Sequence, residues 1–344
     1  MSPRSAIAAV LTIAIAGVLV SCTTDVPPVA ETPSATATAA PTPAPAPAPE
    51  TLVVAPGARP PVFLDGDCER MLPLDVVEAT LGRAAELDRA PEPEGYDVVA
   101  GAGGLSCLWW ADNVDGLRVA VFTADSVSEV DLTTVDGWRA DPACDWYCSV
   151  IIERDGYVVV TTVNGFDGAD VAGSLHEEAL RVAEQVAPVA LANVAAGDSR
   201  WVRDRTGWSD VDCSSLAAKV GTSLGREFGG EDWGLYVDPP LTVGLIADEA
   251  ARVWVCRFVD SSGHYIEAWG HAGAAWGFDA SSTEAMPRPW IGRILEADMR
   301  NDGNVGEGWE MSDGINVVRL TGVPAELGLG AREVAAALAT ALTD

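Results

Sequence analysis

The chain has 344 residues, a length that favours two domains of ordinary size, and its 51 acidic residues against 21 basic ones give a net charge of −30. This charge argues against nucleic acid and anionic lipid surfaces as direct partners, because both are densely negative. The excess of acid is typical of a soluble, well-hydrated surface.

The first element is an apolar stretch at residues 6–20, preceded by Arg4. It is too short to span a bilayer as a helix but has the length of the hydrophobic region of an export signal. It ends in Leu19-Val20-Ser21-Cys22, which resembles the lipobox of bacterial lipoproteins. The resemblance implies that residues 1–21 are a signal peptide, and that Cys22 is lipidated with chains such as palmitate and anchors the protein to the extracytoplasmic face of the cell membrane. An ordinary secretory signal with an incidental cysteine is the alternative.

Residues 22–61 form a segment rich in proline, alanine and threonine, with the run "ETPSATATAAPTPAPAPAPE". The segment has too few large apolar side chains to offset the entropy of ordering it, so we expect a disordered, extended tether. At ~3.1 Å per residue, such a tether would hold a folded domain on the order of 100 Å from its anchor.

Two stretches of the remaining chain resemble each other. Residues 67–82 are "DCERMLPLDVVEATLG" and residues 212–225 are "DCSSLAAKVGTSLG". Each begins with Asp-Cys and continues as an amphipathic stretch that closes on Leu-Gly, which predicts a helix terminated by glycine. A second cysteine follows each stretch in an apolar, aromatic run typical of a strand, "LSCLWWAD" and "VWVCRFVD".

The similarity continues downstream. Asp155-Gly156 and Asp313-Gly314 each separate two β-prone runs, which predicts a hairpin in each half. A helix is then predicted to close each half, and in the first half Ser174 and Glu177 form a capping box. The apolar stripes of the two helices are Leu175, Ala179, Val182 and Val186 in the first half, and Val334, Leu338 and Ala341 in the second.

We therefore predict an α+β fold made of two tandem copies of one small module. Each module has an N-terminal helix, an antiparallel sheet and a C-terminal helix. The first module spans residues 62–190, the second spans 207–344, and residues 191–206 link them. Each is close to the commonest domain size.

Cysteine usage supports an oxidising compartment. Of the seven cysteines, the six besides Cys22 are an even number, as expected for disulfide bonds in an exported chain. The repeat predicts two bridges in equivalent places, Cys68–Cys107 and Cys213–Cys256. Cys144 and Cys148 have no counterpart in the second half and lack the Cys-x-x-Cys spacing of a redox motif. We expect them to form a disulfide that staples their loop, with metal or redox chemistry as the alternative.

Apparent catalytic patterns lie in unsuitable contexts. The pattern Gly-x-Ser-x-Gly surrounds Ser223, but a helix rather than a strand precedes it, so this serine is predicted at a helix end. His176 is predicted on a surface helix, while His264 and His271 point to opposite faces of one strand and share no metal. An acidic loop that starts at Asp298 lacks the glutamate that closes a calcium loop. The sequence therefore predicts no catalytic residue, metal or cofactor.

The twelve tryptophans are the remaining feature that marks candidate binding surfaces. Those in predicted strands are expected in the core. Others lie in loop-like sequence near carboxylates, where aromatic rings can stack on sugars or contact a protein. The candidate ligand contacts are Trp146, Tyr147, Trp233, Trp269, Trp276 and Trp290.

The chain also bears a wider resemblance. The lipobox, the tether, Asp67-Cys68 with a helix ending at Leu81-Gly82, and Cys107-Leu108-Trp109 together resemble exported actinobacterial lipoproteins built on a Cys-helix-Leu-Gly…Cys-x-Trp domain of unknown function. The second half departs from this motif with Cys256-Arg257-Phe258. The resemblance implies the fold and the location in the cell envelope, but no activity.

Two classes of function remain at this point. We expect a lipid-anchored, non-enzymatic envelope protein that binds a partner protein, a wall glycan or a small ligand through loops of its modules. The alternative is an envelope hydrolase that uses paired carboxylates, for example Asp141 and Asp145, although no spacing indicates two carboxylates held at catalytic distance.

Overall fold

The computed structural model describes most of the chain after the tether. The described residues are 52–88, 97–111, 115–132, 147–164, 172–197, 201–208, 211–232, 242–295, 308–321 and 323–343. The predicted signal peptide, Cys22 and most of the tether lie outside these ranges. Among the described helices, none has the length and apolar character needed to cross a bilayer.

The architecture is α+β, with helices packed on antiparallel sheets. In the first half the helices are α1 (Cys68–Met71), α2 (Leu74–Leu81), α3 (Val98–Gly101) and α4 (Ala172–Ala196). The strands of this half are β2 (Glu86–Leu87), β3 (Leu105–Ala111), β4 (Asp115–Thr123), β5 (Tyr147–Arg154) and β6 (Tyr157–Asn164). They form the first sheet, in the order β2-β3-β4-β6-β5.

The second half has three described helices, α5 (Cys213–Leu224), α6 (Thr242–Ala250) and α7 (Ala331–Thr343). Its strands are β8 (Gly229–Asp232), β9 (Trp254–Val259), β10 (Tyr265–His271), β11 (Glu284–Ala285), β12 (Ile291–Leu295), β13 (Gly308–Ser312) and β14 (Val317–Thr321). They form the second sheet, in the order β11-β12-β13-β14-β10-β9-β8. Short 3-10 turns lie at Phe63–Gly66, Ala275–Gly277, Ala280–Ser282 and Ala325–Leu327.

The two sheets share a strand order. Read from β8 inward, the second sheet runs β8-β9-β10-β14-β13, and the first sheet runs β2-β3-β4-β6-β5 in the same chain sequence. The second sheet then extends by β12 and β11 at its far edge. In both sheets the last two strands of the shared set are joined by the turn with Asp-Gly that the sequence predicts.

The Asp-Cys repeat begins a helix in each half. The Asp67 carboxylate accepts hydrogen bonds from the backbone N–H groups of Glu69 and Arg70, and the Asp212 carboxylate accepts one from Ser215. An aspartate in this position satisfies N–H groups that have no partner within the helix. Proline at position 73 separates α1 from α2, whereas the equivalent stretch of the second half is the single helix α5.

Glycine ends both of these stretches, as predicted. Gly82 follows α2 with φ 71° and Gly225 follows α5 with φ 65°. Glycine adopts this left-handed conformation without a steric penalty, so it closes the helix and turns the chain back towards the sheet.

Each sheet has one face covered by helices of its own half. On the first sheet this core includes Trp109, Leu117 and Val159, packed against Val182 and Val186 of α4. On the second sheet α5 and α7 cover Cys256, Phe258, Ile266 and Leu320. The predicted stripes of the closing helices are buried wherever their side chains are described, namely at Ala179, Val182, Val186, Val334, Leu338 and Ala341.

The structure brings both predicted cysteine pairs to bonding distance. The Cα atoms of Cys68 and Cys107 are 5.7 Å apart, and those of Cys213 and Cys256 are 5.3 Å apart. Each bridge ties the first helix of its half to the strand that lies next to an edge strand of its sheet. Cys148 is buried and disulfide-bonded. Its expected partner, Cys144, lies outside the described residues, so that pairing stays a prediction.

The predicted linker is more ordered than the sequence suggests. Helix α4 continues through residues 191–196 because Leu191 and Val194 are buried against the first sheet. The strand β7 (Trp201–Arg203) then pairs in parallel with β1 (Leu52–Val54). Residues 52–61, which were predicted as part of the disordered tether, therefore belong to the folded part. The chain thus enters its folded part beside the junction between the two halves.

Candidate functional site

The outer face of the second sheet, which points away from α5 and α7, carries an unusual set of side chains. Side chains of a strand alternate between the two faces, so every second residue of β9, β10, β12, β13 and β14 lies on this outer face. The strand register places a diagonal row of five charged residues there, with signs that alternate across the sheet. Arg257 is opposite Glu267, and two residues further along the strands Arg319 is opposite Glu310, which is opposite Arg293. We call this row the charged ladder.

Glu267 is the carboxylate at one end of the charged ladder. It is only 3% exposed. The Arg257 Nε donates a hydrogen bond of 2.7 Å to its Oε1, and Arg257 Nη2 lies 2.6 Å from the same atom. The indole Nε1 of Trp269 lies 3.4 Å from its Oε2. Arg257 on β9 and Trp269 on β10, the strand that carries Glu267, thus hold this buried carboxylate in place.

Glu310 is the second buried carboxylate of the charged ladder, and it is 1% exposed. Arg319 Nε donates to its Oε1 at 2.7 Å, and Arg293 Nε donates to its Oε2 at 2.8 Å. Arg293 Nη1 also reaches Asp279 Oδ2 at 3.1 Å. A buried charge is tolerated when it is paired and hydrogen-bonded in this way.

Arg319 differs from the other two arginines of the charged ladder. Its side chain is 29% exposed, and its bond to Glu310 uses Nε alone. Within the part of the chain that the structure describes, its two terminal nitrogens donate no hydrogen bond. The residue directly opposite on β10 is Trp269, which is half-buried. An indole ring and an open planar donor group therefore stand side by side in the middle of this face.

Further aromatic rings border the charged ladder. The Arg257 guanidinium lies 4.3 Å from the centroid of the Tyr265 ring, and the Arg293 guanidinium lies 5.8 Å from that of Phe278. Stacking of this kind fixes the plane of an arginine.

His271 lies at the end of β10, on the same face as Glu267 and Trp269; it is half-buried, and its Nδ1 atom is buried. Burial, with a smaller contribution from the Arg319 guanidinium, lowers the pKa of His271 to about 3. The imidazole is therefore neutral at ordinary pH and adds no charge to the charged ladder.

The outer face of the first sheet is different. Helix α6, which belongs to the second half, crosses onto it and packs beside α3. The buried side chains of this contact are Val99, Ala120, Phe122, Val158 and Val160 from the first half, and Val243, Ile246, Ala247 and Ala250 from α6. This part of the first sheet is therefore closed to a ligand.

The structure separates the aromatic candidates that the sequence suggests. Trp269 lies on the outer face of the second sheet, and Trp276 lies in the following loop with Arg59 at 5.4 Å from its ring centroid. Trp290 was predicted as a ligand contact, but it is buried at 5% exposure and donates a hydrogen bond to Thr343 Oγ1, so it is a core residue. Tyr147 begins β5, and its side chain is not among those described.

Trp146, Trp233, Asp141 and Asp145 lie outside the described residues. Ser223 is exposed in the last turn of α5, in agreement with its prediction at a helix end. In the described residues, no group of three or more histidine, cysteine, aspartate and glutamate side chains is arranged to hold a metal ion.

Sequence reasoning missed the charged ladder. The signal was a single charged residue inside each of several apolar runs, as in "VWVCRFVD", "YIEAWG" and "NVVRLTG". Each charge alone is compatible with a surface position. The alternation of sign appears only once the strand order is known, because β13 and β14 lie far along the chain from β9 and β10.

Two cavities lie near Trp201, at the junction between the halves. One, of about 220 Å³, is lined by Ser126, Glu129 and Arg205, and the other, of about 390 Å³, by Arg59 and Arg70 among others. In the first cavity Glu129 accepts hydrogen bonds from Arg252 and Arg205, which lower the pKa of the Glu129 carboxyl. Asp125 and Arg203 also line the first cavity, outside this group of ion pairs.

The outer face of the second sheet combines paired carboxylates with arginine donors and aromatic rings. A general acid needs a carboxyl that holds a proton, as in enzymes that cleave glycosidic bonds. Both buried carboxylates of the charged ladder instead accept hydrogen bonds from arginines. Rigid planar donors beside aromatic rings are a common arrangement for recognising a polar ligand.

Comparisons of the chain with protein-family models, with curated proteins and with solved structures find no match.

Proposed function

We propose that this chain is an exported, lipid-anchored envelope protein that binds a ligand without transforming it. The export signal and the lipobox at Cys22 support the location. The two cysteine pairs at bonding distance add to that support, because structural disulfides persist in oxidising compartments and are rare in the cytosol.

We further propose that the folded part consists of two copies of one α+β module. The shared strand order, the Asp N-caps, the left-handed glycines and the bridges in equivalent places support a duplication. The copies then differ chiefly in what lies over the outer face of each sheet, where one face is covered and the other keeps partly exposed charges.

The observation that carries the binding function is the outer face of the second sheet. Arginines there are 16 to 29% exposed while the carboxylates that they contact are nearly fully buried. Replacing a buried ion pair by apolar side chains is often neutral or stabilising. Stability alone therefore gives no reason for the charged ladder, whereas recognition of a polar ligand does.

The location is tested by labelling producing cells with a palmitate analogue. We expect label in the wild-type chain and none in Cys22→Ser, with the label in the membrane fraction. Label retained by Cys22→Ser, or an unlabelled wild-type chain, would contradict the lipid anchor.

The binding face is tested by photo-crosslinking in intact envelopes. Tyr265 borders the charged ladder and is replaced by a photoreactive phenylalanine analogue. The matched control carries the same analogue at Leu180, which is 39% exposed on α4. We expect an adduct from position 265 only. Equal adducts from both positions, or none from either, would refute this face as the binding site.

A further inference from the structure

We infer that the pair Trp269–Arg319 is a binding site for an uncharged saccharide, an assignment that rests on the proposed binding function. These residues are directly opposite each other on β10 and β14, on the outer face of the second sheet. Cβ atoms of directly opposite residues in an antiparallel pair lie about 5 Å apart, close enough for both side chains to contact one sugar ring.

The two side chains supply complementary contacts. The half-buried indole of Trp269 offers an apolar surface on which the C–H face of a sugar can pack. The terminal nitrogens of Arg319 offer planar donors to hydroxyl and ring oxygens. Because Glu310 holds Nε, the guanidinium is oriented before the ligand arrives, which lowers the entropy cost of binding.

The charge of the protein favours an uncharged saccharide over an anionic one. The row of Arg257, Glu267, Arg319, Glu310 and Arg293 is completed by Asp279, so three positive charges face three negative ones. The rest of the chain contributes the large negative charge, since the net charge is −30. This field repels polyanions, whereas it leaves an uncharged glycan unaffected.

A ladder of fixed charges also provides secondary contacts for a chain of sugars. The rings of Tyr265 and Phe278 lie beside the arginines at its two ends, so aromatic surface continues on both sides of Trp269. A glycan of several units could therefore lie across the strands, with the strongest contact at the central pair.

The test is calorimetric titration of the mature chain, residues 22–344. The probes are tetramers of N-acetylglucosamine, β-linked glucose and α-linked glucose, with oligogalacturonate as the anionic comparison. We expect saturable binding of at least one neutral tetramer with little dependence on salt. We expect Trp269→Ala and Arg319→Met each to weaken the binding by about ten- to hundredfold.

Matched controls lie on the first sheet. Trp110→Ala removes a half-buried tryptophan there, and Arg154→Met removes an exposed arginine. Both should keep wild-type affinity. Arg319→Lys keeps a positive charge beside Glu310 but loses the planar fork, so it should also bind more weakly even if Arg319→Met unfolds.

Three results would overturn the inference. They are no binding of any neutral tetramer, binding that is unchanged in the Trp269 and Arg319 variants, and binding of oligogalacturonate alone. A protein adduct from position 265 without saccharide binding would reject the sugar and leave the proposed binding face standing. Equal adducts from positions 265 and 180, or none, would reject the face itself.

Discussion

The outer faces of the two sheets differ although the sheets share a strand order. On the first sheet, valines and Phe122 lie under α6 and α3, and the contact excludes water. On the second sheet, the equivalent side of the strands carries arginines and glutamates in alternation. Helix-covered cores and cysteine pairs occur in both halves, so the difference between the halves is concentrated on these outer faces.

The contrast also concerns energy. Burying apolar area is worth roughly 25 cal/mol per Å², and the cover of the first sheet gains from it directly. Buried ion pairs must first offset the loss of hydration of both partners. The charged ladder therefore orients its hydrogen-bond donors at a cost in stability. The apolar cover of the first sheet adds stability but provides no donors.

The largest expected effect tests whether the two scaffolds are equivalent. Replacing both cysteines of either bridge by alanine should lower the free energy of unfolding by about 4 kcal/mol, because each bridge closes a loop of similar length in the unfolded chain. The sequence separations are 39 and 43. Urea titration of the two double variants measures this. Losses that differ by more than about 2 kcal/mol would show that the halves are not built alike.

The apolar cover of the first sheet is tested by Ile246→Ala. Ile246 lies in α6 and is fully buried on that sheet. The cavity left by the missing side chain should lower the free energy of unfolding by about 3 kcal/mol. Leu180→Ala, at an exposed position of α4, is the control and should change it by less than about 0.5 kcal/mol. If the two variants unfold alike in urea, the helix does not close this face.

The charged ladder is tested by Glu310→Gln. The change leaves Arg293 and Arg319 facing a neutral group, which should lower the free energy of unfolding by about 2 kcal/mol because both arginines keep some access to water. Glu153 lies on β5, the strand of the first sheet that corresponds to β13, and it is exposed. Glu153→Gln should be close to neutral. Chemical denaturation measures the free energy of unfolding of both variants. If Glu310→Gln were also neutral, the expected difference between the two sheets would be wrong.

The smallest expected effect concerns pH and the cover of the first sheet. Burial raises the pKa of Asp248 in α6 to about 7, from 3.8. The folded chain thus holds a proton that the unfolded chain releases, so this residue lowers stability as the pH rises from about 4 to about 7. Asp248→Asn should remove that slope and raise the free energy of unfolding at pH 8 by at least about 1 kcal/mol.

Thermal unfolding of the wild type and Asp248→Asn across this pH range provides the measurement. His271 acts in the opposite sense, because its pKa is lowered to about 3 and stability falls as the pH drops below about 6.5. That slope should persist in Asp248→Asn. Identical pH profiles of the two proteins would contradict the role of Asp248.

Local chemistry made part of the fold predictable. The glycines at positions 82 and 225 end their helices because left-handed backbone suits glycine, and the turn at Asp155-Gly156 joins β5 to β6. The glycines and the Asp-Gly turn each act on backbone within a few residues of their own position, so they can be recognised in the sequence. The repeat then allowed the cysteines of each half to be paired by position.

The remaining features depend on distant contacts. The sequence around α6 contains no sign that the helix covers the other half, since that packing is set by the arrangement of both sheets. Trp290 resembled a loop residue because Gly and Pro surround it, yet it is buried beside α7. The charged ladder needs the strand order β14-β10-β9, which sequence spacing does not determine.

The short parallel ribbon of β1 and β7 has a mechanical consequence for an anchored protein. The three register pairs run from Leu52 with Trp201 to Val54 with Arg203. Force transmitted along the N-terminal segment would reach the folded part first at this ribbon. Separation of β1 from β7 would then lengthen the N-terminal segment without changing either of the two larger sheets.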